Sequence, residues 1–173
     1  MTQIIQKEHP TLRATSREVP LGEIDTPAIK QIIEDMITAL ESQDDGVAIA
    51  APQIGKSYRI FVVSHKVFEI IPGHKHRRGK NMVFINPVIT KLSKDKKNLE
   101  EGCLSVRYLY GKVARSHKAS IEALDEAGVS FTVSASGLLA QIFQHEVDHL
   151  NGILFIDKAK NIEEIIPESK HTN

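Results

Sequence analysis

His145-Glu146-Val147-Asp148-His149 brings together residue types that can do metal chemistry at a spacing that suits it. Two histidines four positions apart on an α-helix stand one turn above each other on the same face. Both imidazoles can then reach one cation. A glutamate beside the first histidine can take a proton from water at that cation, the mechanics of the H-E-x-x-H pattern. The plain alternative is two core histidines hydrogen-bonded to backbone.

The flanking residues support a helix. Leu138, Leu139, Ile142, Phe143 and Leu150 recur at helical spacing, Ser136 can cap the start, and Gly152 is a suitable stop. Leu138, Ile142, His145 and His149 share one stripe, so the histidines are expected to face inward.

Two helical histidines need a third protein ligand if water is to take the fourth tetrahedral place. A third histidine after Gly152 would fall at position 155, which is phenylalanine, so that arrangement is out. A late glutamate (Glu163, Glu164 or Glu168) could serve, as in some metalloproteases. So could Cys103, whose thiolate with two imidazoles makes a soft, mixed set for zinc or ferrous iron. Spacing alone leaves the choice open, and a cysteine in a Gly/Leu/Ser setting is often only a small buried residue.

The remaining composition narrows the class. A length of 173 residues suits one domain, 1–173, with a sizeable core. Lys+Arg and Asp+Glu both total 22, so no global field recruits nucleic acid or a membrane surface. No apolar run is long enough to span a bilayer, and the start does not read as a signal peptide. With 1 cysteine there is no intrachain disulfide, which fits a reducing compartment such as the cytoplasm.

Residues 1–22 read as an extended arm over the domain. Thr26-Pro27 starts a helix whose apolar positions (Ile29, Ile32, Ile33, Met36, Ile37, Leu40) carry it to about Ser42. Asp45 to Gly55 is rich in small residues that let another backbone approach closely; it is either an ordinary connection or an edge offered to a peptide. Arg59–Ser64, Met82–Asn86 and Val88–Leu92 read as strands, the last two separated at Pro87. Pro72–Lys80 reads as a solvated basic loop, with transient contact to ribosomal RNA as its alternative. Ser93–Asn98 reads as a lysine-rich turn. Lys118–Leu124 and Val129–Ala135 alternate around a Gly128 turn and form a hairpin. A weak helix is expected at 162–166, ended by Pro167. The order is that of an α+β fold, with antiparallel strands packed around a central helix that carries the motif.

Three stretches together resemble peptide deformylase: Gly46-Val47-Ala48-Ile49-Ala50-Ala51-Pro52-Gln53, Glu101-Gly102-Cys103-Leu104-Ser105, and Gln144-His145-Glu146-Val147-Asp148-His149. They stand in the family's order, and the resemblance runs from about His9 to the residues after Gly152. It implies one metal held by Cys103, His145 and His149, usually Fe2+, with Zn2+, Ni2+ or Co2+ as substitutes. It implies removal of the formyl group from the formyl-methionyl end of new polypeptides. Glu146 would be the general base. The Gln53 amide and the Leu104 backbone N–H would meet the oxyanion. Glu101 would pair with Arg115 and hold the cysteine loop. The peptide would lie along Gly46, Val47 and Ala48, its methionine in an apolar pocket with Val47, Leu138 and Ile142.

Four positions depart from the family pattern. Ala48 stands where glycine is usual, and Arg107 where proline is common. Tyr110 replaces a frequent arginine, and Gln141 occupies an often apolar helical position. None removes a catalytic group; they bear on substrate preference.

Overall fold

The computed structural model describes residues 2–73 and 79–166. The long first helix, α1, spans Pro27–Glu41, with Pro27 in its first turn. Its fixed φ suits that place, and it has no N–H to leave unpaired. Thr26 occupies the cap position, but its hydroxyl donates back to the Glu23 carbonyl at 2.6 Å. Ile29, Ile33, Met36 and Leu40 form the buried stripe. Each such side chain stabilises the fold by about 1.5–3 kcal/mol on burial.

Strands β1 (Ala48–Ala50), β2 (Ile60–Val63), β3 (Met82–Leu92), β6 (Lys118–Leu124) and β7 (Ser130–Ser136) form one antiparallel sheet in the order β1-β2-β3-β6-β7. Side chains on a strand alternate between its faces, and here both faces are covered. Ile60 and Val62 of β2 pack with Ile29, Ile33, Met36 and Leu40 of α1. Phe61 and Val63 turn the other way, against Leu139, Ile142, Phe143 and Leu150. Those four belong to α3, Leu138–Leu150, which contains both histidines of the motif. Three rings anchor the contact: Phe61 stacks on Phe84 with centroids 4.4 Å apart, and Phe143 meets Phe84 edge-on at 5.3 Å.

A second sheet, in the order β4-β5-β8, comprises β4 (Lys96–Cys103), β5 (Val106–Ser116) and β8 (Lys160–Glu164). Its apolar residues Val106 and Val113 pack on Leu12, Leu154 and Phe155. The mixture of helices and antiparallel sheets is the α+β class expected from the sequence.

Several local expectations are corrected. Pro87 does not break the chain into two strands; β3 runs through it with a register shift between Ile85 and Val88. Proline has no N–H for the ladder, and the bulge removes the need for one. Asn86 takes a left-handed φ of 50° there, and its amide pairs with both backbone groups of Val19 at 2.8 Å. The lysine-rich turn is shorter than expected, because β4 already begins at Lys96. Residues 160–164 form strand β8 rather than a helix, paired with β5 through Leu109↔Glu164 and Tyr110↔Glu163. Gly137, not Ser136, precedes α3, and it makes no side-chain cap. A short helix not foreseen, α2 (His65–Ile70), starts where the Ser64 hydroxyl accepts from the Lys66 N–H. The N-terminal arm is extended but carries tight turns at Pro10–Arg13 and Leu21–Glu23. The centre of the basic loop, Pro167 and Glu168 lie outside the described residues.

Gly152 ends the α3 region as expected, for two reasons. Its φ is +73°, and a Cβ there would stand 2.6 Å from the Arg13 carbonyl oxygen. Only glycine permits both the turn and the close passage of the N-terminal arm.

Candidate metal centre

Helix α3 is fixed to the sheets by more than apolar packing. The buried Gln144 amide accepts from the Ser116 N–H at 3.0 Å and donates to the Ser116 and Ala140 carbonyls, each at 2.9 Å. A side chain thus completes the backbone pairing of β5 at its end, and its own polar atoms are satisfied. One residue further on, His145 faces β4.

Strand β4 delivers the cysteine. It pairs antiparallel with β5, and a bulge between Glu101 and Cys103 turns the chain end toward α3. The result brings Cys103, His145 and His149 together, each offering a ligand atom within 4.8 Å of the others. Cys103 Sγ lies 3.2 Å from His149 Nε2. The late glutamates are elsewhere: Glu163 and Glu164 are exposed on β8.

The histidines have different surroundings. His145 Nδ1 is 2.9 Å from Glu101 Oε2, which leaves its Nε2 for a cation. Burial works against a charged His145, but hydrogen bonds to Cys103 and Glu101 outweigh it and hold the imidazole well above its usual range. Burial and the neighbouring His145 push His149 well below that range. His149 Nδ1 has no partner among the described residues.

Behind the histidines lies a buried charge cluster. Arg115 donates Nε to Glu101 Oε1 at 2.7 Å and Nη2 to Glu101 Oε2 at 2.9 Å. Its Nη1 donates to Asp148 Oδ2 at 2.7 Å, and Lys158 Nζ reaches both Asp148 oxygens at 2.8 Å. Burial alone would raise Glu101, but Arg115 and His145 hold it at about 2. The Glu101–Arg115 pairing that the family resemblance implies is present. Asp148 and Lys158 were missed. A charged residue between two histidines on an inward-facing helix was the available signal for Asp148.

Glu146 is 3 % exposed, and burial raises its carboxyl to about 7. Its Oε2 is buried with no hydrogen-bond partner among the described residues. A buried, unpartnered oxygen of this kind requires an explanation; a water or substrate group at a neighbouring cation would supply its partner. The donor set also fits: one thiolate and two imidazoles suit a divalent transition ion and leave a tetrahedral position open.

Gln53 sits in a tight turn, Ala51–Ile54, directly after β1. Its Oε1 accepts from the Ala50 N–H at 2.8 Å, so Nε2 is turned toward Ser105 Oγ at 3.2 Å and Cys103 Sγ at 3.5 Å. Ser105, fully buried, was not anticipated.

A cleft of about 350 Å³ opens onto these groups. Ala48 lines it from the start of β1 and Val47 from the residue just before, Leu104 from the cysteine turn, and Leu138, Ile142, His145 and Glu146 from α3. β1 is an end strand of its sheet. Gly46 backs onto α1 instead, where a Cβ would meet Leu40 Cδ1 at 2.8 Å. His149 and Arg115 lie buried behind the lining. The departing residues are also here. Arg107 Nη1 binds Asp45 Oδ2 at 2.8 Å, Tyr110 lays its ring in the space a side chain at 102 would need, and Gln141 Nε2 donates to the Glu100 carbonyl at 3.0 Å.

A cleft that ends on a thiol, two imidazoles and a near-neutral carboxyl is the equipment of a metal-dependent hydrolase. Comparison with known proteins says which kind. The sequence model of the polypeptide deformylase family matches residues 1–164. A peptide deformylase of Treponema pallidum is 39 % identical over 144 residues, covering 83 % of this chain and 80 % of the relative. One from Carboxydothermus hydrogenoformans is 38 % identical over 161 residues, covering 92 % and 94 %. An actinonin-bound class I type b peptide deformylase from Acinetobacter baumannii superposes with a TM-score of 0.80 at 30 % identity, covering 92 % of this chain and 99 % of that one. The chain belongs to the polypeptide deformylases, metal-dependent hydrolases that remove the N-terminal formyl group from nascent polypeptides.

Proposed function

We propose that Cys103, His145 and His149 hold the metal and that Glu146 is the general base of deformylation. The convergence of the three ligand atoms within 4.8 Å, beside the unpartnered Glu146 Oε2, carries this reading. Fe2+ is the cation we assign in the cell, with Zn2+, Ni2+ and Co2+ as substitutes the same donors accept. A bound cation would supply Lewis acidity, drawing water toward ionisation near neutral pH.

The chain's own groups do the rest. Glu146 removes a proton from the attacking water and returns it to the departing amine, roles for which a carboxyl near 7 is suited. Formyl leaves as formate. The Gln53 Nε2 and the Leu104 N–H donate to the oxyanion that develops on the formyl carbon. Each such donor lowers the barrier by about 3 kcal/mol. Glu101, held by Arg115, fixes the ring of His145 and with it the lone pair on the far nitrogen.

The formyl-methionyl peptide adds to the open edge of β1 at Val47 and Ala48, with Gly46 giving the close approach to α1 that sets the edge. Leu138 and Ile142 take the methionine side chain, whose flexible thioether suits aliphatic walls. Among the described residues no helix is long and apolar enough to cross a membrane. A bacterial cytoplasm, where new chains carry formyl-methionine, is the setting we propose.

The test is anaerobic purification with metal analysis and an assay of formate release from a formyl-methionyl peptide. Near-stoichiometric metal with rapid release is expected. Metal binding that survives in a Cys103→Ala variant at full activity would instead favour a late carboxylate ligand.

A further inference from the structure

Ile5 and Gln6 lie in the N-terminal arm, remote in sequence from the site. Their hydrogen bonds nevertheless end on the two backbone segments that carry Gln53 and Cys103. The Ile5 N–H donates to the Gln53 carbonyl at 2.9 Å. The Gln6 side chain grips the turn after Cys103 at two points. Its Nε2 donates to the Leu104 carbonyl at 3.1 Å, and its Oε1 accepts from the Arg107 N–H at 3.4 Å.

The Leu104 carbonyl and the Ser105 N–H are two ends of one planar peptide unit. In a trans peptide they point in opposite directions. The Ser105 N–H lies 3.4 Å from Cys103 Sγ. A donor that holds the carbonyl on the outer side therefore turns the N–H inward onto the sulfur. The one soft motion of this unit is rotation about the line joining its two Cα atoms, and the Gln6 amide opposes that rotation. The far end of the turn is held as well, because Arg107 is tied through its side chain to Asp45 and Gln43. The second N–H directed at the sulfur, from Gln53, stands on the segment that Ile5 holds.

We propose that Gln6 is a positioning residue: it orients the Leu104–Ser105 peptide so that the Ser105 N–H hydrogen-bonds to the Cys103 sulfur and tempers its donation to the metal. The proposal rests on the reading of Cys103 as a ligand. Groups that hydrogen-bond to a ligand tune the ligand's electron donation and its hold on the cation. Gln6 is exposed, so replacing it opens no cavity in the core.

The test uses the full chain loaded with cobalt(II), whose thiolate charge-transfer absorption reports sulfur donation directly. Gln6→Met keeps the length of the side chain and removes both hydrogen bonds; Gln6→Glu keeps an acceptor for Arg107 and removes the donor to Leu104. In both variants the charge-transfer band is expected to move to lower energy. The kcat should fall by about threefold to tenfold with KM unchanged. A wild-type band in Gln6→Met overturns the proposal, whether or not its activity falls, because the arm would then act only through general stability. Absence of the thiolate band in the wild-type protein would be a different result: it would remove Cys103 from the ligand set, and the proposal with it.

Discussion

Arg115 holds Glu101 with two parallel hydrogen bonds, 2.7 and 2.9 Å long, inside the protein. The pair stands between two other charges, His145 on the Glu101 side and Asp148 on the Arg115 side. A buried guanidinium paired in this way fixes directions as well as charge. Removing it leaves two buried carboxylates without their shared cation. Arg115→Met is expected to destabilise the fold by about 3–5 kcal/mol, read from urea unfolding. Glu101→Gln should unfold closer to wild type but hold metal about 10–100-fold more weakly, read by chelator competition.

Glu146 separates chemistry from binding. Glu146→Gln preserves size and leaves Cys103, His145 and His149 in place. Metal content should therefore stay stoichiometric, while kcat for formate release falls by about a hundredfold to ten-thousandfold. Unchanged turnover would remove Glu146 from the proton transfers.

The ion pair at the cleft mouth predicts a pH signature. The Arg107 hydrogen bond to Asp45 holds that carboxyl below its usual range. A depressed acid stabilises the fold above its unfolded pKa, about 3.9, and that contribution is lost as pH falls through the lower folded value. Asp45 has a side chain 60 % exposed, so solvent screening keeps the contribution small. Wild type should exceed Arg107→Met by about 0.5 kcal/mol near neutrality. Below the folded pKa the two should converge, and added salt should narrow the gap at neutral pH.

Gly152 tests the joint between helix and arm. A side chain there would face both a φ of +73° and the Arg13 carbonyl. Gly152→Ala should cost about 1–3 kcal/mol from backbone conformation alone, with the steric clash adding to it. Amide exchange in residues 12–16 should accelerate, because the displaced segment includes the Ser16 N–H bond to the Leu150 carbonyl.

The parts readable in the sequence are those whose geometry is local. His145 and His149 are four residues apart, and the pitch of a helix alone puts them on one face. The stripe of α1 and the hairpin of β6 and β7 repeat with the period of their own backbone. The run at 162–166 suggests a weak helix because so short a stretch carries little period, and pairing of 160–164 with β5 decides the matter. Pro87 suggests a break because a proline cannot complete a ladder, yet a bulge lets β3 pass through it.

Cys103 shows the division most clearly. Its type made it a candidate ligand, and so did the types of Glu163, Glu164 and Glu168. Resemblance to a family favoured the cysteine, but the residues' own spacing could not. Which of these residues stands beside the two histidines depends on which strand end meets α3, and that follows from the β4–β5 pairing and the bulge at 101–103. The cluster of Glu101, Arg115, Asp148 and Lys158, and the grip of Gln6 on the Leu104 turn, join residues far apart along the chain. The amino-acid order by itself determined the chemistry on offer and the local elements that carry it. Only tertiary packing decided which of those groups meet, because distances across sheets and between layers depend on register and burial, not on separation in sequence.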